Sequence, residues 1–236
     1  MKHLILSYKK TKSIMLSDRM NFLVKGVLVS ILLNIANGYA DAQVISQFNF
    51  DSDPVTTAAV GPDATSVSGS ALSDVGGVGG TNGLNARLAK ADINMIITGS
   101  PTFDVDGINV SFDYHREENA GSFFVLGSSL EIQGCNNLSV RYRVDNGGGG
   151  FTLVNSGTVY AIPNDDTYRN YRFAYTPCDG IGQLFVDGVS VWSNDGPDNR
   201  PMYWVGAGDE EICERIDGTG NNDTFFDNLI IGEVDC

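Results

Sequence analysis

The chain has 236 residues, a formal charge of −14, 42% hydrophobic residues, four cysteines and two histidines. That length is enough for one domain with a sizeable apolar core behind a short targeting segment. The acidity argues against nucleic acid and anionic membrane as partners, because phosphates need cations opposite them.

Residues 1–42 read as a signal peptide. Lys2, Lys9, Lys10, Lys12, Arg19 and Lys25 precede an apolar run from Val27 to Ile35, and Ala40-Asp41-Ala42 supplies a small-x-small cleavage site before Gln43. Met20 is a second candidate start that gives a more compact signal. A membrane anchor is the rival reading, but Lys25 and Asn34 interrupt the run, which falls short of the roughly 20 residues a spanning helix needs. Cleavage after Ala42 predicts a secreted or cell-surface protein that is not integral to the membrane once processed. The mature part, 43–236, holds nine Lys plus Arg against 27 Asp plus Glu, a formal charge of −18. That excess is compatible with cation binding, with a saline habitat or with simple solubility.

The mature chain reads as almost wholly β. Val44 to Phe50 predicts an opening strand ended by Asp51-Ser52-Asp53-Pro54. Thr56 to Asn85, rich in Gly, Ser, Ala and Thr, reads as a long surface excursion. Ala86 to Ala91 fits either a strand or a short helix. Strands are predicted at Ile93 to Thr98 and at Gly107 to His115. In the second, Ile108, Val110, Phe112 and Tyr114 face one way and Asn109, Ser111, Asp113 and His115 the other. Ser122 to Leu126 lacks alternation and predicts burial on both faces. Leu138 to Val144 alternates again, and Asp145 to Gly150 turns the chain back into Phe151 to Asn155.

Tyr171 to Trp192 predicts a three-stranded meander. Tyr171, Phe173 and Tyr175 share one face, and Asp187-Gly188 between Gln183–Val186 and Val189–Trp192 is a type I′ hairpin signal. Tyr203 to Val205 and Phe225 to Ile231 complete the set. No helical stripe of three turns is present in the sequence. The fold class expected is an all-β, two-sheet antiparallel jelly-roll sandwich, 43–236 forming one domain.

Cys135, Cys178, Cys213 and Cys236 form an even count in an exported chain, which predicts two disulfides with three connectivities open. Cys135–Cys178 with Cys213–Cys236 is the pairing preferred. No two cysteines have C-x-x-C spacing and His115 is the only mature histidine, so a zinc site or a Cys–His pair is not expected.

Four segments resemble the laminin-G-like, concanavalin A-like lectin/glucanase superfamily: Phe48-Asn49-Phe50-Asp51, Ile108 to His115, Tyr171 to Val191, and Phe226 to Ile231. The resemblance spans most of 44–234 and implies a two-sheet jelly roll, often with one calcium ion, and a role in binding glycans or proteins outside the cell. The hydrolases of that group carry alternating carboxylates on one strand as nucleophile and acid/base. Here the nearest strings, Asp209-Glu210-Glu211 and Glu214-Arg215-Ile216-Asp217, sit beside Cys213 and Gly218 in a turn-like setting. Strings like those of the lyases, Arg-Glu-Arg or Gln-Ile-His, are absent.

Two candidate sites follow. Calcium ligands implied by the resemblance are Asp51 and Asp53 in the first turn and Asp227 on the last strand, with Asp223 as a further option. The competing reading gives Asp51 and Asp53 to Asx-turns ahead of Pro54 and Asp227 to a turn cap. A glycan platform needs an exposed aromatic beside polar hydrogen-bonding groups. Trp192, alternating away from Val189 and Val191 and followed by Asn194 and Asp195, is the leading candidate. Tyr203 and Trp204, being adjacent, point to opposite faces, and His115, Arg116, Arg141 and Arg143 are candidates for a polar face. Core packing is the competing reading for each aromatic. Gly147 to Gly150 is a flexible turn without the features of a phosphate loop.

The sequence is therefore read as a secreted, non-catalytic carbohydrate-binding sandwich, compatible with one module of a larger surface adhesin. Its partner is an extracellular glycan or polysaccharide, with surface proteins as further candidates. A hydrolase or lyase of the same fold, and a structural matrix or filament protein, are the alternatives.

Overall fold

The alternation seen in the sequence becomes two packed sheets in the computed structural model, which describes residues 42–67, 72–85, 95–97, 101–115, 119–120, 122–134, 137–165, 167–204, 210–212, 216–217 and 225–236. Residues 1–41, read from the sequence as a targeting segment, lie outside the described residues, as do Ala86 to Ala91, Arg116, Cys135, Val205, Cys213 and Asp223. In chain order the strands are β1 (Gln43–Phe48), β2 (Ser66–Val67), β3 (Leu72–Val75), β4 (Asn82–Asn85), β5 (Met95–Ile97), β6 (Ile108–His115), β7 (Asn119–Ala120), β8 (Ser122–Leu126) and β9 (Leu130–Gly134). Then come β10 (Asn137–Asp145), β11 (Phe151–Asn155), β12 (Tyr160–Ala161), β13 (Tyr168–Thr176), β14 (Ile181–Val186), β15 (Val189–Asp195), β16 (Glu210–Ile212), β17 (Ile216–Asp217) and β18 (Phe225–Glu233).

The first sheet runs β15-β14-β13-β6-β18-β4-β3, with β1 also paired to β18. The second runs β11-β10-β9-β8-β16-β5-β2, with β12 paired to β10. All these pairings are antiparallel, and β17 with β7 makes a small separate ribbon. The antiparallel sandwich predicted by the sequence is the architecture observed. β6 occupies the middle of the first sheet because every second residue, Ile108 to Tyr114, is buried while the intervening ones reach the outer face.

Aromatic side chains join the layers. Tyr142 of β10 packs on Phe173 (5.0 Å between ring centres) and Tyr175 (5.4 Å) of β13. Within the first sheet, Tyr114 of β6 meets Phe226 of β18 at 4.7 Å, and Phe112 of β6 stacks on Tyr171 of β13 at 5.9 Å. Each such ring removes about 150–250 Å² from water, which at about 25 cal/mol/Å² contributes several kcal/mol. The meander is present as read, with Asp187 and Gly188 both at positive φ (50° and 74°), as a type I′ turn requires.

Three expectations are corrected. The stretch from Thr56 to Asn85 is not a plain excursion. It contains β2 and the β3–β4 hairpin, with Leu84 fully buried. Glu210 to Ile212 is not turn-like either, because it forms β16 between β8 and β5. Cys178 is bonded to Cys236, which overturns both preferred pairings, Cys135–Cys178 and Cys213–Cys236. The Cα atoms of Cys178 and Cys236 are 5.2 Å apart, which ties the turn after β13 to the chain end after β18. Tyr203 and Trp204 lie outside any strand, anchored by a bridge between Met202 and Val144. Among the described residues no helix is long and apolar enough to cross a membrane.

Candidate functional site

On β10 the buried set is Leu138, Val140, Tyr142 and Val144, so Ser139, Arg141 and Arg143 must stand on the outer face. The hairpin to β11 closes through Asp145 to Gly150, where Asp145 accepts from the Gly147 amide and Asn146 Oδ1 accepts from the Gly148 amide at 2.8 Å. Its register sets Arg143 opposite Leu153 and Asp145 opposite Phe151. On the other side, Arg141 faces Glu131 and Ser139 faces Gln133 across to β9. The outer face of β9–β10–β11 thus presents two arginines, a carboxylate, a carboxamide, a hydroxyl and two apolar side chains.

These groups hold one another in place. Arg141 forms an ion pair with Glu131. Gln133 Nε2 donates to Glu131 Oε1 at 2.7 Å, and Ser139 Oγ donates to Gln133 Oε1 at 3.2 Å. The Arg143 guanidinium lies over the Phe151 ring at 4.4 Å and donates to Ser128 Oγ at 3.3 Å. Tyr203 packs against Phe151, ring centres 5.4 Å apart. Phe151 and Leu153 are nevertheless 42% and 53% exposed. Beside them a depression of about 150 Å³ is lined by Ser128, Glu131, Arg141, Arg143 and Leu153. An apolar ring rimmed by fixed donors and acceptors is chemically suited to a flat polyhydroxylated ring.

Of the residues singled out in the sequence, Arg141, Arg143 and Tyr203 come together here. Trp192 does not. Its alternation is reversed by a bulge between Leu184 and Phe185 in the β14–β15 register, which sets Trp192 opposite Leu184 on the core side. There it is half-buried and meets Tyr142 edge-on at 6.5 Å. Trp204 also packs against the core, its Nε1 donating to the Val105 carbonyl at 2.8 Å, while Tyr203 points the other way. Asn194 is half-buried and Asp195 exposed, both at the β15 end. His115 lies on the first sheet, 5.1 Å from the Tyr168 ring.

The carboxylates proposed for calcium do not converge into a cradle: among the described residues, no three His, Cys, Asp or Glu groups are placed to hold a metal ion. Asp51 and Asp53 are exposed, and Asp53 Oδ1 accepts from the Ser73 amide at 3.0 Å. Asp227 is buried at 1% exposure, and its oxygens accept from the amides of Val78 (2.9 Å) and Asn228 (2.8 Å). Burial pushes its carboxyl above the ordinary range, with Asp113 and Asp51 adding to the effect. Asp227 and Asp113 are register partners on β18 and β6. Asp113 is held by Asn170 Nδ2 and by Asn228 Nδ2, each at 2.9 Å. The turn 76–81 seals the pair, because Val78 and Thr81 bond Asp227 and Tyr168 donates to the Gly76 carbonyl at 2.5 Å. Burial and the same two carboxylates raise the Tyr168 hydroxyl well above its usual range.

No protein-family model matches the chain, and no curated protein matches it. Solved structures of the same fold do. Domain 4 of an extracellular arabinanase from Geobacillus stearothermophilus, solved with arabinotriose, is 14% identical over 82% of this chain and 93% of that one, with a TM-score of 0.57. The receptor-binding domain of botulinum neurotoxin type G is 9% identical, with a TM-score of 0.53 over 83% of this chain. The serotype D binding domain is 10% identical, with a TM-score of 0.55. The chain spans about half the length of the two toxin structures, 49% of each. At these identities the likeness establishes the β-sandwich fold.

Proposed function

We propose that this chain is a secreted, non-catalytic β-sandwich that binds an extracellular oligo- or polysaccharide on the outer face of β9–β10–β11. The observation that carries the reading is the exposed Phe151 ring, contacted by Arg143 and Tyr203, next to a depression lined by Leu153, Arg141, Glu131 and Ser128. Because these side chains are already bonded to one another, little side-chain entropy is lost when a ligand docks. The sandwich fold shared with a domain solved holding arabinotriose supports the same reading. Asp227 is buried and its oxygens already accept from the Val78 and Asn228 amides, an arrangement poorly suited to activating water.

A glycan array that includes arabino-oligosaccharides tests this. Binding is expected, and Phe151→Ala is expected to weaken it by roughly tenfold or more, about 1.4 kcal/mol, without unfolding the protein. An array without binding, or a Phe151→Ala variant of unchanged affinity, would remove the assignment.

A further inference from the structure

Strand β11 separates two depressions. Leu153 faces the platform, whereas Thr152 and Val154, alternating with it, face a cavity of about 190 Å³ on the opposite side. That cavity is walled by the rings of Tyr142 and Tyr175, with Asn194 and Arg200 at its polar side and Gly180 and Gly196 contributing bare backbone. A void of about 150 Å³ accommodates benzene, so the space admits one six-membered ring with substituents.

Three features point to what fills it. Tyr142 is fully buried, and its hydroxyl, beside Gly182, makes no full hydrogen bond among the described residues, with Asn194 as its polar neighbour. Such a group carries a desolvation cost that an incoming acceptor or donor relieves. Among the described residues the Arg200 side chain has no ion pair or hydrogen bond, although its main chain is fixed: its amide donates to the Pro177 carbonyl at 3.1 Å and its carbonyl accepts from Tyr175 at 2.6 Å. By contrast, Arg141 and Arg169 pair with carboxylates and Arg143 lies on Phe151. Room for the Arg200 guanidinium depends on Gly147, where an added Cβ would collide with it. Asp145, which also lines the cavity, accepts from the Gly147 amide, and Asp198, two residues from Arg200 along the chain, is exposed.

We infer that this cavity is a second binding site, distinct from the platform, and that it takes a single carboxylate-bearing sugar ring, a uronic acid residue. Arg200 holds the carboxylate, Asn194 meets a hydroxyl, and Val154 lies along the apolar face.

The test is titration of the full chain with galacturonate and glucuronate, alongside galactose, glucose and acetate at matched ionic strength, followed by saturation-transfer NMR and calorimetry. The uronates are expected to bind at least about tenfold more tightly than the neutral sugars or acetate. Arg200→Gln should abolish that preference, while Phe151→Ala should leave it intact, which separates this site from the platform. Should Arg200→Gln fail to fold, Asn194→Ala is scored in its place, and lost uronate binding is the supporting result. Absence of uronate binding, equal binding of neutral sugars, acetate binding as tightly as uronate, or unchanged affinity in these variants would overturn the proposal.

Discussion

Replacing Gly182 with alanine tests the contact that locks the two sheets together. Gly182 lies on β14, and a Cβ there would overlap the Tyr142 hydroxyl and come within 2.7 Å of ring Cζ. Tyr142 is itself wedged against Phe173 and Tyr175, so its ring has nowhere to retreat. Overpacking of this kind costs about 1–3 kcal/mol. Replacing glycine by alanine where the backbone permits returns about 0.4–1 kcal/mol through the unfolded chain, and Gly182 does not need positive φ. The net loss is about 1–2 kcal/mol, or a Tm lower by about 2–8 °C for a domain of this size. Removing the closest atom should relieve much of it. In a Tyr142→Phe background the alanine should cost at least about 0.5 kcal/mol less. Thermal and urea unfolding of the four proteins measure the cycle. An alanine variant as stable as the parent, or one whose cost is the same with phenylalanine at 142, would show that the sheets do not pack through this contact.

Further predictions concern the covalent tie, the buried acid and the ion. Peptide mapping under non-reducing conditions should recover Cys178 joined to Cys236. Cys178→Ser should lower stability by about 2–4 kcal/mol, given a loop of 58 residues. Recovery of Cys178 joined to Cys135 instead would contradict the packing of the chain end. Because burial raises the Asp227 carboxyl, its contribution to stability is present below the unfolded value, about 4, and fades as pH rises through the folded value. Urea unfolding across the acidic range should therefore show parent stability falling relative to Asp227→Asn as pH increases, and a flat difference would refute the sealed-acid description. EDTA is expected to leave Tm unchanged, whereas an occupied calcium site at a hundredfold Kd would supply about 2.7 kcal/mol; a Tm drop on chelation that calcium restores would contradict the geometry at Asp227.

What could be read from the sequence was whatever its own periodicity encodes. β6, β10 and β13 each alternate cleanly, because one face is buried and the other is not. The β3–β4 hairpin carries no such signature. Its short strands, LSDV and NGLN, are held because β4 pairs with β18, a contact from the other end of the chain. β16 was hidden for the same reason, since its acidic string looks like a turn until β5 and β8 flank it. Cysteine spacing says nothing of which ends of the fold meet.

At the candidate site, Arg141 and Arg143 were visible as outward alternates, but Phe151 and Leu153 were overlooked. The Gly-rich turn contained the missing step. Closing a hairpin over residues 146–150 fixes Asp145 opposite Phe151 and so brings the apolar pair beside the arginines. Trp192 went the other way. A single extra residue, Val191, in the β14–β15 ladder turned it inward, and a bulge of that kind leaves no mark in alternation alone.

The most direct test is an amide NMR titration with the tightest-binding oligosaccharide from the array. The account predicts shift changes concentrated at Ser128, Glu131, Arg141, Arg143, Phe151, Leu153 and Tyr203. Changes clustered instead on the outer face of the first sheet, around His115 and Asp113, with β9–β11 silent, would contradict it.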